Sequence, residues 1–187
     1  MPGPWRTSLP DERSPVFALM VFAGLVALGR FGWQSKQRGL MAAAAVLLGL
    51  QAWGTLGLRL TAAQALITFG GDGGCLVLGS LLMAAFYLRL DGAPHWGELR
   101  WGFLAIGSVS FADALDLWWR ARSDGDAIPF GEIEGVGFSD PSKLTEVFGW
   151  STTRMVSSYV GLGMACLLVL ALIYAAGLVR ARGRARA

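Results

Sequence analysis

Residues 155–179 read MVSSYVGLGMACLLVLALIYAAGLV, twenty-five consecutive positions without a charge. About 20 mainly apolar residues suffice for a helix to cross the hydrocarbon core of a bilayer. This stretch therefore predicts a membrane-spanning helix, with the Ser151-Thr152-Thr153 run as its cap. Working outward, four further stretches have comparable length. Residues 15–33 carry VFALMVFAGLVALGRFGW after Pro15, and 39–58 are an Ala/Leu/Gly run with Trp53 near the end. Residues 70–90 open on glycines and turn into CLVLGSLLMAAFYL, and 99–119 carry Asp113 and Asp116 near their C-terminal end. The expectation is an all-α polytopic membrane helix bundle with about five transmembrane helices.

Composition supports that class. Hydrophobic residues make up 54% and charged residues 16% of the 187 positions, and the mean hydropathy is +0.50. Soluble domains average about 45–50% and about 25%. One histidine, His95, and two separated cysteines, Cys75 and Cys166, leave too little for a His/Cys zinc site, a His-ligated haem or a Ser-His-Asp triad. No cofactor is expected, and no nucleic-acid module is visible. The cysteines read as small core residues and His95 as a surface loop residue. Tyr159, Tyr174, Trp33, Trp96, Trp101 and Trp150 read as interfacial belt or bundle packing.

Charge fixes an expected orientation in the cell membrane. In a five-span chain one side receives nine basic residues and two acids, Asp91 and Glu98, while the other receives seven basic residues and eleven acids. By the positive-inside rule the first side is cytoplasmic, so the N-terminus lies outside and the C-terminus inside. The polar residues 1–14 lack the charged start, short apolar stretch and cleavage site of a signal peptide, so the first span reads as retained. The basic tail, residues 180–187, reads as a stop signal beside anionic headgroups, too short to fold alone.

The loop between the last two spans, residues 120–154, is the long one. Its Gly/Asp/Ser-rich start is a turn region, and the alternation of apolar and acidic residues over 128–138 suggests a segment lying extended across the helix ends. Asp140-Pro141 then reads as the N-cap and first residue of a short helix ending at Phe148, with Leu144, Val147 and Phe148 on one face. Gly149 ends it. The expectation is an interfacial helix lying as a lid on the bundle.

Three features are candidates for function. Phe69-Gly-Gly-Asp72-Gly-Gly74 makes a poor helix, each glycine costing about 0.8–1.0 kcal/mol relative to alanine. The preceding TAAQALITF is too short to span and reads as a re-entrant or interfacial piece. Asp72 is then either a capped, tightly packed helix start or a carboxylate facing an ion or substrate. Asp113 and Asp116, three apart, share a helix face. Asp72, Asp113 and Asp116 could line a proton or cation path, or serve as structural carboxylates paired with Arg59, Arg120 or Arg154. Small residues at four-residue spacing, Ser80/Ala84, Ser108/Ala112 and Gly161/Ala165, mark candidate helix-packing faces.

Residues 70–89 (GGDGGCLVLGSLLMAAFYLR), 99–119 (LRWGFLAIGSVSFADALDLWW) and 138–150 (FSDPSKLTEVFGW) also follow an order of features. That order resembles the membrane-embedded zinc metalloproteases of the site-2 type, over roughly residues 70–180. Those proteins carry a zinc-binding His-Glu-x-x-His in an early span, which is missing here. The resemblance implies a non-catalytic relative without proteolysis.

Function therefore divides between two classes. One is a non-enzymatic integral membrane protein, a small accessory subunit packing in the bilayer against a membrane partner or a second copy of itself. The other is a small transporter or proton-handling protein using the three aspartates. A membrane enzyme acting through carboxylates is a distant third.

Overall fold

The computed structural model describes residues 14–87, 99–133 and 137–184, and it is built almost wholly of helix. Six helices follow in order: α1 (Pro15–Gln34), α2 (Arg38–Ala52), α3 (Leu60–Tyr87), α4 (Leu99–Arg120), α5 (Asp140–Ser142) and α6 (Thr152–Arg184). Helix α2 continues into a π-turn, Trp53–Gly57, and α5 into another, Lys143–Val147. Among the described residues, four helical stretches are long and apolar enough to cross a membrane: Pro15–Gln34, Arg38–Gly57, Leu60–Tyr87 and Thr152–Val179. Helix α4 is membrane-length but falls outside that set.

The chain divides into two compact units. In the unit ending at Leu66, α1 and α2 form an antiparallel pair. Ser14 caps α1 by accepting the Phe17 amide at 3.3 Å, and Pro15 occupies the first turn, where a missing N–H costs nothing. The helices meet at Gly32, where a Cβ would stand 3.1 Å from the Met41 nitrogen. At the far end the Gln51 amide donates to the Ala18 carbonyl at 2.6 Å. Helix α1 buries Gly32 and exposes Phe17, Leu19, Met20, Phe22 and Phe31. An apolar surface of that extent suits lipid and not water.

In the unit beginning at Ile67, α3, α4 and α6 pack together. Phe86 meets Trp101 edge-on at 4.8 Å, Gly79 meets Gly107, and Asp72 meets Trp118, so α4 runs antiparallel to α3 along most of its length. Helix α6 runs parallel to α3, with Tyr159 against Phe69 and Tyr174 against Tyr87. The α3–α4 seam is a backbone-to-backbone approach: a Cβ on Gly79 would lie 2.8 Å from the Gly107 carbonyl oxygen, and one on Gly107 would lie 2.7 Å from that of Gly79. Close approach through small residues is how helices associate in lipid, where no hydrophobic drive separates tails from side chains.

This packing corrects the reading of the glycine-rich stretch. TAAQALITF is neither re-entrant nor a separate interfacial piece; it is the first part of α3, and Phe69–Gly74 lies within the continuous helix. At two of the four glycines the lost helix propensity is offset by neighbours that need the room, while a Cβ at Gly70 or Gly74 would meet nothing within 4 Å. Gly71 faces the Asp140 carboxylate, where a Cβ would stand 2.8 Å from Oδ2, and Gly73 faces Phe69 and Leu162. Helix α6 likewise runs on to Arg184, through much of the stretch expected as a separate tail. Cys75 is exposed and Cys166 half-buried, so Cys75 is not a core residue.

Residues 121–133 and 137–151 form a cap on this unit. Asp124 accepts from the Asp126 amide at 3.0 Å and starts a short 3-10 turn, Gly125–Ala127. Two short strands, β1 (Glu132–Ile133) and β2 (Gly137–Phe138), pair antiparallel with Glu132 opposite Phe138. The cap of α5 is Ser139, whose Oγ accepts from the Ser142 amide, and not Asp140, which is its first helical residue. The Ser142 hydroxyl in turn accepts the Gly131 amide at 2.9 Å and ties the helix to the hairpin. The π-turn ends at Gly149, which takes φ +66°: its amide returns to the Thr145 carbonyl at 3.2 Å and the Trp150 amide to the Leu144 carbonyl at 2.9 Å, a closure one residue wider than a Schellman motif. Ile128, Pro141, Ser142 and Leu144 are buried, while Val147 is exposed and Phe148 half-buried, so the expected apolar face is only partly used. His95, Trp96, Arg89, Asp91 and Glu98 lie outside the described residues.

The seam makes a clear prediction. Gly79→Leu forces a side chain into backbone and should lower stability by about 3 kcal/mol, the upper end of typical overpacking costs. Gly102→Ala, on α4 where a Cβ meets nothing within 4 Å, should be neutral or gain up to about 1 kcal/mol. Thermal unfolding in detergent reads both; equal behaviour of the two variants would contradict the seam.

Candidate functional site

The site grows from one buried indole. On α4, Phe111, Ala114 and Trp118 are buried along one face, a spacing that Ala121 continues just past the helix end. Trp118 is 0% exposed, and an indole N–H so placed needs an acceptor. It finds the carboxylate of Asp72: Nε1–H donates to Oδ2 at 2.9 Å. The acceptor is half-buried, and the bond is charge-assisted when the carboxylate is ionised.

The ring faces of Trp118 are used as well. Tyr159 of α6 stacks on Trp118 with centroids 4.0 Å apart and planes 16° from parallel. Its other face meets Phe69 of α3 at 4.2 Å and 22°. The Tyr159 hydroxyl donates to the Phe69 carbonyl at 3.2 Å. Phe69 continues to Trp150 at 5.7 Å, and the Arg154 guanidinium sits 4.6 Å over the Trp150 ring. A ladder Trp118–Tyr159–Phe69–Trp150–Arg154 thus joins α4, α6, α3 and the end of the cap. Aromatic pairs of this kind contribute about 0.5–1.5 kcal/mol each beyond the area they bury.

Around the ladder the acids sort differently from one another. Asp72 lies within electrostatic reach of Asp140 and Asp113. Asp140 reaches the site from the cap and has Lys143 at 3.8 Å. Asp113 and Asp116 are both exposed, on the side of α4 away from its buried face. Asp116 is paired one turn on with Arg120, whose Nε donates to Oδ1 at 3.0 Å and whose Nη2 meets Oδ2. Arg154 engages the Trp150 ring, and Arg59 has no acidic partner among the described residues. Of the three proposed charge partners, Arg120 alone meets an acid there.

The three aspartates do not share one contact network. Asp72 is committed to Trp118, Asp116 to Arg120, and Asp113 makes no ion pair among the described residues. Trp118, Tyr159 and Asp140 were not singled out as site residues. The buried 111/114/118 spacing on α4 carried a signal for Trp118, whereas nothing local links Asp140 to Asp72. The small-residue pairs separate too: Ala84 is buried and Ser80 and Ser108 half-buried, while Ala112, Gly161 and Ala165 are exposed. No group of three or more His, Cys, Asp or Glu side chains among the described residues is placed to hold a metal ion.

Comparison with protein-family models, with curated proteins and with solved structures finds no match to this chain.

The chemistry of this arrangement is that of a lock. Trp118→Phe keeps most of the stacking but strips Asp72 of its donor, and should cost about 2–3 kcal/mol, the range for leaving a buried or half-buried charged acceptor unpaired. Asp72→Asn retains a carbonyl oxygen for the indole and should cost about 1 kcal/mol. Thermal unfolding together with protease cleavage within residues 121–151 reports both. Undiminished stability and protection in Trp118→Phe would show that the bond holds nothing.

Proposed function

We propose that this protein is a small, non-enzymatic membrane subunit that packs through α4 against a partner membrane protein. One observation carries the reading: α4 exposes the Asp113 carboxylate, which makes no ion pair among the described residues. Asp113 stands seven positions before Arg120, roughly 10 Å inside it at 1.5 Å per residue. Lipid is a poor neighbour for that group; a carboxylate near the middle of a spanning helix costs about 2.5–3.5 kcal/mol even on insertion scales. Arg120 is already engaged by Asp116. The surface that suits Asp113 is a partner helix bearing a lysine, an arginine or a cluster of hydrogen-bond donors.

The same reading makes α4 a fifth span. It lies antiparallel along α3 from Phe86/Trp101 to Asp72/Trp118, so whatever depth α3 crosses, α4 crosses beside it. Its low hydropathy then reflects the acidic face turned to the partner. Five spans and the charge asymmetry of the loops support an outside N-terminus, an inside C-terminus and an extracytoplasmic cap. Impermeant labelling of a cysteine placed at Ser123 in intact cells reads that orientation. The likeness to site-2-type proteases fits here as that of a non-catalytic relative.

A proton or cation path is the weaker reading, because Asp72 is tied to Trp118 and Asp116 to Arg120.

The test is a pull-down of the tagged protein from its native membrane in mild detergent. A stoichiometric complex with a second membrane protein is expected. Asp113→Leu should weaken it about tenfold or more, the scale of losing one desolvated charge pair, with the thermal stability of the isolated chain unchanged. A lone monomer, or a complex indifferent to Asp113→Leu, would overturn the proposal.

A further inference from the structure

A groove of about 500 Å³ lies beside the end of α4 and the start of α6, lined by Ala121, Arg122, Thr152, Thr153, Val156, Ser157, Val160 and Gly161. Its two ends differ in chemistry. Towards the cap stand Arg122 and the hydroxyls of Thr152 and Thr153, with the Ser157 hydroxyl a turn further in and donating to the Arg154 carbonyl at 3.0 Å. Along α6 the floor is apolar, made by Val156, Val160 and the bare backbone of Gly161. This groove is on the flank of α4 opposite to Asp113 and Asp116, and it plays no part in the Trp118–Asp72 lock.

We infer that this groove binds one anionic phospholipid of the surrounding leaflet, its phosphate at Arg122 and the first turn of α6 and an acyl chain along Val156–Gly161. Charge complementarity argues for this occupant. Among the described residues, the only charged side chain lining the groove is a cation, and no carboxylate lines it. The Arg122 guanidinium is held 4.2 Å over the Trp119 ring, which positions it at the groove mouth without consuming its N–H donors in an ion pair. The start of α6 adds to the same field. Ser151 takes the Arg154 amide through Oγ at 3.2 Å and the Met155 amide through its carbonyl at 3.0 Å. The amides of Thr152 and Thr153 have no partner among the described residues, and such first-turn amides favour an anion.

Shape agrees with charge. A Cβ at Gly161 would meet nothing within 4 Å, so the groove is open where an acyl chain needs width. Trp119, Trp150 and Arg154 stand at the same end, where the interfacial zone of a bilayer places aromatic and basic side chains. A headgroup at that level puts its glyceryl and acyl carbons against the valines. Burial of chain methylenes against protein supplies no drive over bulk lipid, so retention depends on the phosphate contacts and on the fit of the groove.

The experiment uses the full chain in nanodiscs of defined mixtures of phosphatidylglycerol and phosphatidylcholine, followed by native mass spectrometry after mild detergent extraction. One retained phospholipid per chain is expected, with phosphatidylglycerol favoured about fivefold, the factor set by one basic group near an anionic surface. Arg122→Gln should abolish that preference. Gly161→Leu places a side chain in open groove and leaves the protein's own packing intact, so thermal unfolding without lipid should match the wild type while lipid retention falls about tenfold. Retention unchanged in Gly161→Leu, no retained lipid in the wild type, or a second protein chain displaced by Gly161→Leu would each overturn the assignment.

Discussion

A buried indole N–H in a membrane bundle has no water to turn to, and at Trp118 its acceptor has to come from another helix. Asp72 supplies it at 2.9 Å, and the consequence spreads outward. The bond fixes the depth of α4 against α3. With the indole so oriented, its face receives Tyr159 of α6, whose opposite face receives Phe69. Three helices are thereby set in register at one end of the unit by two hydrogen bonds, Trp118 to Asp72 and Tyr159 to the Phe69 carbonyl, and two stacked ring pairs. The cap is joined to the same structure through Trp150 on Phe69 and through Asp140 beside Gly71.

Along the rest of that register the constraint is space. Gly79 and Gly107 bring two backbones together so closely that neither position admits a Cβ, and Gly163 leaves room for Leu115, whose Cδ1 would stand 2.6 Å from an added Cβ. The glycines look costly when counted as helix formers. Their worth lies in the neighbours they admit: Asp140 at Gly71, Leu162 at Gly73 and the opposing helix at Gly79. Propensity is a local quantity, and here tertiary contact decides the outcome.

That difference marks what can be read from sequence. The apolar stretches of α1, α2 and α6 announce themselves by length, and the short helix after Asp140 by its turn residues and Gly149. The extent of α3 was hidden because the glycines that lower its helix propensity include residues its packing needs. The site was half visible. Asp72, Asp113 and Asp116 stand out as acids in apolar surroundings, but their division into a locked, an unpaired and a salt-bridged carboxylate depends on which helix face each occupies. Asp140 belongs to the neighbourhood of Asp72 only through a contact 68 positions away in the chain. Its local role, opening α5 beside the Ser139 cap, gives no hint of that.

The cap is thus an integral layer of the α3–α4–α6 unit and not a loose loop. Hydrogen exchange of the intact protein in nanodiscs tests that claim most directly. The amides of Gly131, Lys143, Phe148 and Trp150 are hydrogen-bonded within the cap, and the account predicts that they exchange as slowly as the amides of α6 around Tyr159, in one cooperative unit. Exchange of these cap amides within seconds, while α3 and α6 stay protected, would contradict it.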